Sequence, residues 1–293
     1  MGDFKVRKRR ALILQRLYSP VMSAEIDYVL GTHDEEIHRL GLQHRVWQPL
    51  VLDAWTRAGI NRGCRLVDFG CGPGFATLDA AAIVGPQGQV TAIERSAHFL
   101  SFAQKQVEAQ GLSWVRFLQA DLDADDLPLQ DFDLAWCRWV ASFVASPEKL
   151  IKHISASLRG GGKAVLHEYQ NYASWQVIPH SETFSKFVKE VMASWRATGG
   201  EPDIVKKLIP LMAPAGLNVV SVRPLISVIG PAHFTWQWPA SFLASGSRRL
   251  VELKRISPEY AERIQADFRI LEKNPAALMV TPLVVEVIAE KTS

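Results

Sequence analysis

The stretch Arg65-Leu66-Val67-Asp68-Phe69-Gly70-Cys71-Gly72-Pro73-Gly74-Phe75-Ala76-Thr77 decides the fold of this chain. Its apolar first part predicts a buried strand, its three alternating glycines predict a turn, and the alanine-rich residues that follow predict a helix. A strand, loop and helix in this order present backbone amides to a ligand, and glycines have no Cβ atoms to keep that ligand away. The stretch therefore predicts an α/β fold with a ligand site on the loop.

The spacing of the glycines indicates which ligand the loop binds. A dinucleotide fingerprint needs its third glycine three residues after the second, but Phe75 occupies that position and Gly74 comes one residue early. Asp68 lies inside the strand, where a carboxylate suits a cationic ligand group better than a pyrophosphate. The alternative interpretation is a tight turn in an unrelated α/β protein.

The pattern Asp68-x-Gly70-x-Gly72-x-Gly74 resembles the first motif of class I S-adenosylmethionine-dependent methyltransferases, whose glycine loop faces the methionine part of the cofactor. The resemblance implies that S-adenosylmethionine is the cofactor. It assigns five residues of this stretch to cofactor binding: Asp68, Gly70, Cys71, Gly72 and Gly74.

Two further predicted strands, residues 89–94 and 114–121, also end in acids. A carboxylate at the tip of the second strand, Glu94, is placed to hold a ribose diol through two charge-assisted hydrogen bonds. In the resembling family, an Asp at the end of the third strand reaches the adenine amino group, which implies this role for Asp121 and a place beside the ring for Leu122. Arg95 follows the second predicted strand and Arg138 follows the fourth. Both are assigned to the same cofactor site.

Residues 131–168 resemble the corresponding segment of small-molecule and quinone C-methyltransferases. In that family the end of the fourth strand lies beside the reactive methyl group, which makes Trp139 and Phe143 candidates for substrate binding. Core packing is an equal alternative for Trp139. Many relatives carry a histidine where Ser142 and Phe143 stand, so no catalytic base is transferred to this position.

Aromatic residues after the fifth predicted strand, 163–169, fall in segments that should surround the substrate. They suggest a flat or aromatic small molecule, including a cationic one, held by stacking or cation–π contacts. Core packing is the alternative for half of them. His167 is the first candidate for a general base, although a lone histidine at a strand end is more often structural. The substrate candidates here are Tyr169, Tyr172 and Trp175.

Strands that alternate with helices predict a parallel sheet covered on both faces. The resemblance implies a Rossmann-like seven-stranded sheet in the order 3-2-1-4-5-7-6, with the last strand antiparallel. We expect a basic segment at residues 1–20, a helical lid at 21–59, and a methyltransferase domain at 60–293 with a helical insert at about 231–275 before the last strand. The resemblance makes three lid residues candidates for covering the ligands, with ordinary packing as the alternative: Tyr28 and Gln43 for the cofactor, and Trp47 for the substrate.

Composition limits the function. The chain has 293 residues, 48% of them hydrophobic, and no apolar run long enough to predict a membrane span. Its net charge of +3 is concentrated in the first ten residues, so the remainder has no basic character that would indicate nucleic-acid binding. The three cysteines lack metal-ligand spacing and favour a reducing compartment. We therefore expect a cytoplasmic monomer or homodimer without a metal.

Three functions remain open from the sequence. The first is a methyltransferase that acts on a small, aromatic molecule by in-line transfer. The second is a tRNA or protein methyltransferase, which the near-neutral body disfavours. The third is a regulatory protein that binds S-adenosylmethionine without turnover.

Overall fold

A seven-stranded sheet lies at the centre of the structure, a computed structural model that describes residues 34–293. The described strands are β1 (Arg65–Phe69), β2 (Gln89–Glu94), β3 (Val115–Gln119), β4 (Phe132–Arg138), β5 (Leu158–Asn171), β6 (Gln176–Ile178), β7 (Leu217–Leu225), β8 (Val228–Ile229), β9 (Leu278–Val280) and β10 (Leu283–Lys291). The described α-helices are α1 (Asp34–Ala58), α2 (Phe75–Val84), α3 (Ala97–Ala109), α4 (Pro147–Ser157), α5 (Glu182–Ala197), α6 (Val205–Met212), α7 (Gln237–Glu252) and α8 (Pro258–Lys273).

The order of strands in the main sheet is β3-β2-β1-β4-β5-β10-β7. Counting only these seven strands along the chain, it is the predicted order 3-2-1-4-5-7-6. The strand β10 is antiparallel to both of its neighbours, whereas the pairs among the first five strands are parallel. The predicted fold class is therefore confirmed, including the antiparallel last strand.

The sheet is covered on both faces, as its sequence predicts. Val67 and Phe69 of β1 are fully buried and contribute to one side of the core, while Leu66 contributes to the other. A central parallel strand has no solvent-exposed face, which is why β1 reads as an almost continuous apolar run. The one interruption is Asp68, which places a carboxylate at the carboxyl edge of the sheet.

The segments after β5 differ from their sequence predictions. The helical insert expected at about 231–275 contains two helices, α7 and α8, because Lys254 between them has a positive φ of 56° and Ser257 caps α8 with a hydrogen bond from the Tyr260 amide. Two strands follow it, the short β9 and the last strand of the main sheet, β10. Strands β6, β9 and β8 form a small antiparallel sheet that was not predicted, because strands of two or three residues carry no clear alternation.

The helix α1 lies over the sheet and packs on α7 and β5. Its apolar face buries Trp47, Val51 and Trp55. Arg248 of α7 pairs with Glu35 of α1 at 2.9 Å. The predicted basic segment 1–20, and residues 21–33 of the predicted lid, which include Tyr28, lie outside the described residues.

Candidate active site

The glycine loop between β1 and α2 has the geometry of a ligand-binding turn. Gly72 has a φ of +53°, and a Cβ atom added there would meet no atom within 4 Å, so this part of the backbone is bare. At Gly74 an added Cβ would lie 2.7 Å from the Cβ of Ala103. Gly74 therefore allows α2 and α3 to approach each other. It was predicted to bind the cofactor, but it does not line the cavity described next.

A cavity of about 180 Å³ lies over this loop, beyond the carboxyl ends of β1, β2, β3 and β4. We call it the loop cavity. Ligands bind in this crevice in open α/β sheets. Ten of the residues predicted to bind the cofactor line it: Gln43, Asp68, Gly70, Cys71, Gly72, Glu94, Arg95, Asp121, Leu122 and Arg138.

Asp68 is a buried carboxylate at the floor of the loop cavity. Its Oδ2 accepts a hydrogen bond of 2.7 Å from the Thr77 hydroxyl at the start of α2. Burial raises the pKa of Asp68 to about 6, and the hydrogen bond from Thr77 opposes that shift. The side chain is thus mostly ionised at neutral pH and offers a negative charge to a ligand cation.

Glu94 closes β2 and is held by three backbone amides. Its Oε1 accepts from the amides of Arg95 and Ser96, both at 2.9 Å, and its Oε2 accepts from Gly72 at 3.0 Å. A carboxylate has about four acceptor positions, so Oε2 keeps one for a ligand hydroxyl. Burial raises the pKa of Glu94, although the backbone hydrogen bonds oppose this shift.

Asp121 and Leu122 lie across the loop cavity from Glu94. The Asp121 carboxylate accepts the Asp123 amide through Oδ1 at 2.9 Å, and its own amide donates to Asp125 Oδ2 at 2.9 Å. The loop after β3 is thereby folded back on itself. Both Asp121 and the buried Leu122 line the cavity at this loop, and Oδ2 of Asp121 makes no hydrogen bond within the described residues.

Arg138, at the end of β4, is positioned by two residues that the sequence analysis missed. Its Nη2 lies 3.3 Å from His44 Nδ1, and His44 Nε2 lies 2.9 Å from Asp79 Oδ2. Since an arginine only donates and a carboxylate only accepts, His44 carries its proton on Nε2. No local signal links these residues, because they belong to α1, α2 and β4.

The guanidinium of Arg138 retains an unused donor. Its Nη1 is buried and has no hydrogen-bond partner among residues 34–293. The guanidinium carbon lies 5.1 Å from the centre of the Trp139 ring. Burial lowers the pKa of Arg138 to about 10, and Asp68 opposes that shift. Arg138 is therefore a cation in the loop cavity with a donor available to an anionic ligand group.

A second cavity, of about 30 Å³, is lined mainly by aromatic rings, and we call it the aromatic cavity. Trp139 is stacked between Tyr169 and Trp238, with ring centres 5.6 Å apart in each pair. Trp195 packs edge-on against Phe143 at 4.8 Å. Its described lining residues are Arg39, Gln43, Trp139, Phe143, Tyr169, Tyr172, Trp175, Trp195, Trp238, Pro239, Phe242 and Pro282.

The two cavities have lining residues in common. Gln43, Trp139 and Phe143 line both. Five of the six predicted substrate residues thus line the aromatic cavity, and the exception is Trp47, which packs edge-on against Trp139 and Trp238 as a core residue. The sequence analysis did not assign Arg39 or Trp195, because both come from helices far from the motifs.

Trp139 has an unusual backbone, and a buried acid holds it in place. Its φ is +53°, a left-handed conformation that is uncommon for a large side chain and that often marks functional sites. Glu168 accepts hydrogen bonds from the amides of Val140 and Ala141, both at 2.8 Å, and from the Ser142 hydroxyl. Burial raises the pKa of Glu168 to about 7, against these hydrogen bonds. Glu168 therefore shapes the turn that presents Trp139 to both cavities.

The structure does not bring His167, the predicted base, to either cavity. The residue is fully buried, and its Nε2 lies 3.3 Å from Glu286, which also binds Arg57 with two contacts of 2.7 Å. Burial lowers the pKa of His167. Its ring packs against Trp136 at 4.9 Å. His167 thus belongs to a buried polar network between β5, β10 and α1.

Residues 34–293 contain neither a grouped set of metal ligands nor a helix that could span a membrane. No group of three or more histidine, cysteine, aspartate or glutamate side chains there is arranged to hold a metal ion. None of the helices in this part of the chain has the length and apolar character to cross a bilayer.

The residues of the loop cavity fit S-adenosylmethionine. The bare backbone at Gly72 suits the closely packed sulfonium chain of the cofactor. The free acceptor on Glu94 suits a ribose hydroxyl, and the unpartnered Nη1 of Arg138 suits a carboxylate. The fold and this cavity together define a class I S-adenosylmethionine-dependent methyltransferase.

Comparison with known proteins gives the family. The methyltransferase-domain family matches residues 60–210, and the chain belongs to it. A 2-phytyl-1,4-naphthoquinone methyltransferase of Nostoc is 27% identical over 171 residues, which cover 56% of this chain and 68% of the relative. A ubiquinone/menaquinone biosynthesis C-methyltransferase of Hahella chejuensis is 24% identical over 60% of this chain and 70% of its own.

A solved structure supports the same fold. The geranyl diphosphate C-methyltransferase of Streptomyces coelicolor superimposes with a TM-score of 0.54 at 17% identity, covering 89% of this chain and 85% of the other. That crystal contains Mg²⁺, geranyl diphosphate and S-adenosyl-L-homocysteine. The protein is therefore an S-adenosylmethionine-dependent methyltransferase.

Proposed function

We propose that the protein transfers the methyl group of S-adenosylmethionine, in line, to a small aromatic acceptor bound in the aromatic cavity. The observation that carries this proposal is the wall common to the two cavities, formed by Gln43, Trp139 and Phe143. An acceptor among the aromatic rings would meet the cofactor at this wall. Displacement needs the nucleophile and the methyl group in contact and in line, so we place the reacting atoms where the two cavities adjoin.

The loop cavity supplies the orientation. We assign the ribose to Glu94, the adenine edge to Asp121 and Leu122, and the methionine carboxylate to Arg138. S-Adenosylmethionine supplies a methyl group that is already electrophilic, so no metal is needed to activate it. The contribution of these residues is to align the reacting groups, which can lower a barrier by up to about 7–11 kcal/mol.

The aromatic cavity is suited to an acceptor that arrives ready to attack. Its described lining residues include no Asp, Glu, His, Lys or Cys. The one charged side chain among them, Arg39, is neutralised by Glu36 through contacts of 2.6 and 2.7 Å. A general base must lie within hydrogen-bond reach of its proton, and the phenols of Tyr169 and Tyr172 are the remaining candidates among these lining residues. Because a phenol is a weak base, we propose a nucleophile whose lone pair or π electrons need no deprotonation before transfer. Stacking on Trp139, Trp195 and Trp238 favours a flat molecule.

One observation bears on the setting in which the enzyme works. All three cysteines are free of disulfides and buried, which supports a reducing compartment. We accordingly propose that the enzyme acts in the cytoplasm, as a monomer or homodimer, on a free small molecule.

A titration followed by a product screen tests the function. The purified protein is titrated with S-adenosylmethionine and S-adenosylhomocysteine by calorimetry. It is then incubated with the cofactor and a panel of aromatic amines, phenols and quinols, and products heavier by one methyl group are sought by mass spectrometry. We expect cofactor binding and at least one methylated aromatic product.

The other outcomes separate the remaining functions. Methylation of tRNA or protein, with no product in the panel, would contradict the small-molecule proposal. Binding of the cofactor without transfer to any acceptor would favour a regulatory protein. Absence of binding would contradict the assignment of the loop cavity.

A further inference from the structure

We propose that the side-chain amide of Gln43 donates a hydrogen bond to the molecule that receives the methyl group. The enzyme thereby selects aromatic molecules with a carbonyl oxygen or an equivalent lone pair near the methylated atom. The inference rests on the proposed function, because it needs an acceptor in the aromatic cavity. Its starting point is a glutamine that is only 7% exposed and lies at the wall between the two cavities.

The orientation of this amide is determined by its neighbours. Arg39 Nη1 lies 2.9 Å from Gln43 Oε1, and Trp238 Nε1 lies 3.1 Å from the same atom. Arginine and the tryptophan indole can only donate hydrogen bonds. The end of the glutamine that faces them must therefore be the oxygen, and a flipped amide would place NH₂ against two N–H donors.

The two N–H groups on Gln43 Nε2 therefore have no hydrogen-bond partner among the described residues. Both hydrogen bonds of Gln43 within the described residues involve Oε1. The nitrogen Nε2 is not among the fully buried side-chain atoms of residues 34–293 that lack a partner, so it is open to cavity space and becomes buried only when a ligand covers it. Since Gln43 lines both cavities, the donor is available where an acceptor would meet the cofactor.

The amide is also held rigidly. Arg39 is fixed by Glu36 through Nε and Nη2, and its guanidinium lies 5.7 Å from the centre of the Phe242 ring. Trp238 is fixed by its stacking on Trp139. A donor held in this way discriminates strongly, because a ligand without a matching acceptor leaves it unpaired.

The donor belongs to the acceptor side rather than to the cofactor. Both groups that orient it, Arg39 and Trp238, line the aromatic cavity and not the loop cavity. The loop cavity already supplies its own donors, in the glycine-loop amides and Arg138 Nη1. Removal of the Gln43 donor should therefore change recognition of the acceptor and leave cofactor affinity almost unchanged.

A pair of probes of equal shape tests this. Acetophenone and α-methylstyrene differ in having an oxygen or a CH₂ group at the same position. Dissociation constants for both are measured by ligand-observed NMR on the protein saturated with S-adenosylhomocysteine. For the wild type we expect acetophenone to bind about tenfold more tightly, the size expected when a buried donor is satisfied in one complex and unpaired in the other.

Two variants remove the donor in different ways. Gln43→Glu keeps an oxygen for Arg39 and Trp238 but has no N–H group, and Gln43→Met is uncharged. We expect both to lose the preference for acetophenone while their affinity for S-adenosylhomocysteine stays within about twofold. Gln176→Glu, an exposed glutamine on β6, is the matched control and should behave as the wild type.

Three results would overturn the inference. An unchanged preference for acetophenone in both variants would show that the Gln43 amide does not hydrogen-bond the bound aromatic molecule. A loss of S-adenosylhomocysteine affinity with the preference retained would place the amide on the cofactor. A wild type with no preference between the probes would refute it directly. Failure of the wild type to bind S-adenosylhomocysteine at all would be distinct from these, since it would refute the proposed function and this inference together.

Discussion

The loop cavity and the aromatic cavity differ in the way that the chain builds them. The loop cavity is formed mainly by the ends of neighbouring strands, and its recognition groups are carboxylates, backbone amides and two arginines. The aromatic cavity draws on α1, the turn after β4, β5, α5 and α7, and its recognition groups are mostly ring faces. The first offers directional bonds that a single ligand satisfies, whereas the second offers surfaces on which many flat molecules can stack.

This difference teaches where the specificity of the enzyme lies. Hydrogen bonds to fixed carboxylates distinguish one cofactor sharply, whereas stacking alone distinguishes acceptors weakly and leaves their selection to the amide of Gln43. If the two cavities are independent in this sense, changes in one should leave affinity for the ligand of the other intact. Five predictions test or sharpen that separation.

The largest effect is expected for Glu94→Ala in the loop cavity. The change removes the proposed ribose contact and also leaves the amides of Gly72, Arg95 and Ser96 without their acceptor. We expect affinity for S-adenosylhomocysteine, measured by calorimetry, to fall by about 10–100-fold, since hydrogen bonds to charged groups contribute about 1.5–3 kcal/mol. Unchanged affinity would show that the ribose is bound elsewhere.

The second prediction concerns His167, which lies in neither cavity. His167→Asn should lower the free energy of unfolding by about 1–3 kcal/mol, because it disturbs the buried contact with Glu286. At saturating cofactor and acceptor, the rate and its pH profile should be those of the wild type. Thermal unfolding and steady-state kinetics measure the two effects. A rate that collapses while stability is retained would restore His167 as the base.

Asp68 should make the affinity of the loop cavity for its ligand depend on pH. Its folded pKa of about 6 lies above the ordinary 3.8. As the pH falls below about 6 the carboxylate takes up a proton and loses its attraction for a ligand cation, so affinity for S-adenosylhomocysteine should decrease. Asp68→Asn should bind weakly at all pH values, without this dependence. A wild-type affinity that is constant from pH 7 to pH 5 would contradict the assignment.

The raised pKa of Asp68 also predicts how the free energy of unfolding changes with pH. Between about pH 4 and pH 6 the folded protein keeps the Asp68 proton that the unfolded chain has already lost. The contribution of Asp68 to the free energy of unfolding is therefore present at low pH and declines as the pH rises through this interval. Comparison of the wild type with Asp68→Asn across the interval isolates it.

The smallest effect is expected for Trp195→Phe in the aromatic cavity. The substitution keeps an aromatic ring beside Phe143 and Tyr172 but reduces its area. We expect KM for an aromatic acceptor to rise about threefold to tenfold, because aromatic pairs contribute about 0.5–1.5 kcal/mol beyond their buried area. Affinity for S-adenosylhomocysteine should not change, and an equal loss for both ligands would indicate that the two cavities are coupled.

The sequence predicts the loop cavity well because its signals are local. The alternating glycines, and the acids at the ends of the strands that become β2 and β3, lie in single segments whose geometry follows from strand and turn rules. Gly74 is the exception in this cavity. Its φ of +82° and close approach to Ala103 make it a packing glycine, which spacing alone does not distinguish from a binding one.

The aromatic cavity is predicted only in part, because tertiary packing creates it. Arg39 and Trp195 belong to helices about 150 residues apart, and no pattern in either helix marks the side chain that will face the cavity. Likewise the link from Asp79 through His44 to Arg138 joins three elements that the sequence presents separately. Nothing in the sequence indicates that Glu168 stabilises the turn after β4, because its partners Val140 and Ala141 lie almost 30 residues earlier in the chain.

The stacking of Trp139 between Tyr169 and Trp238 also gives the protein an optical property. The indole rings of Trp139 and Trp238 are almost parallel, with an angle of 15° between their planes and 5.6 Å between their centres. Two transition dipoles this close couple, and the coupling contributes to the circular dichroism wherever the dipoles are skewed. An acceptor that displaces either ring changes that contribution. The wall between the cavities thus contains its own spectroscopic reporter, and occupancy by an acceptor can be followed without a label.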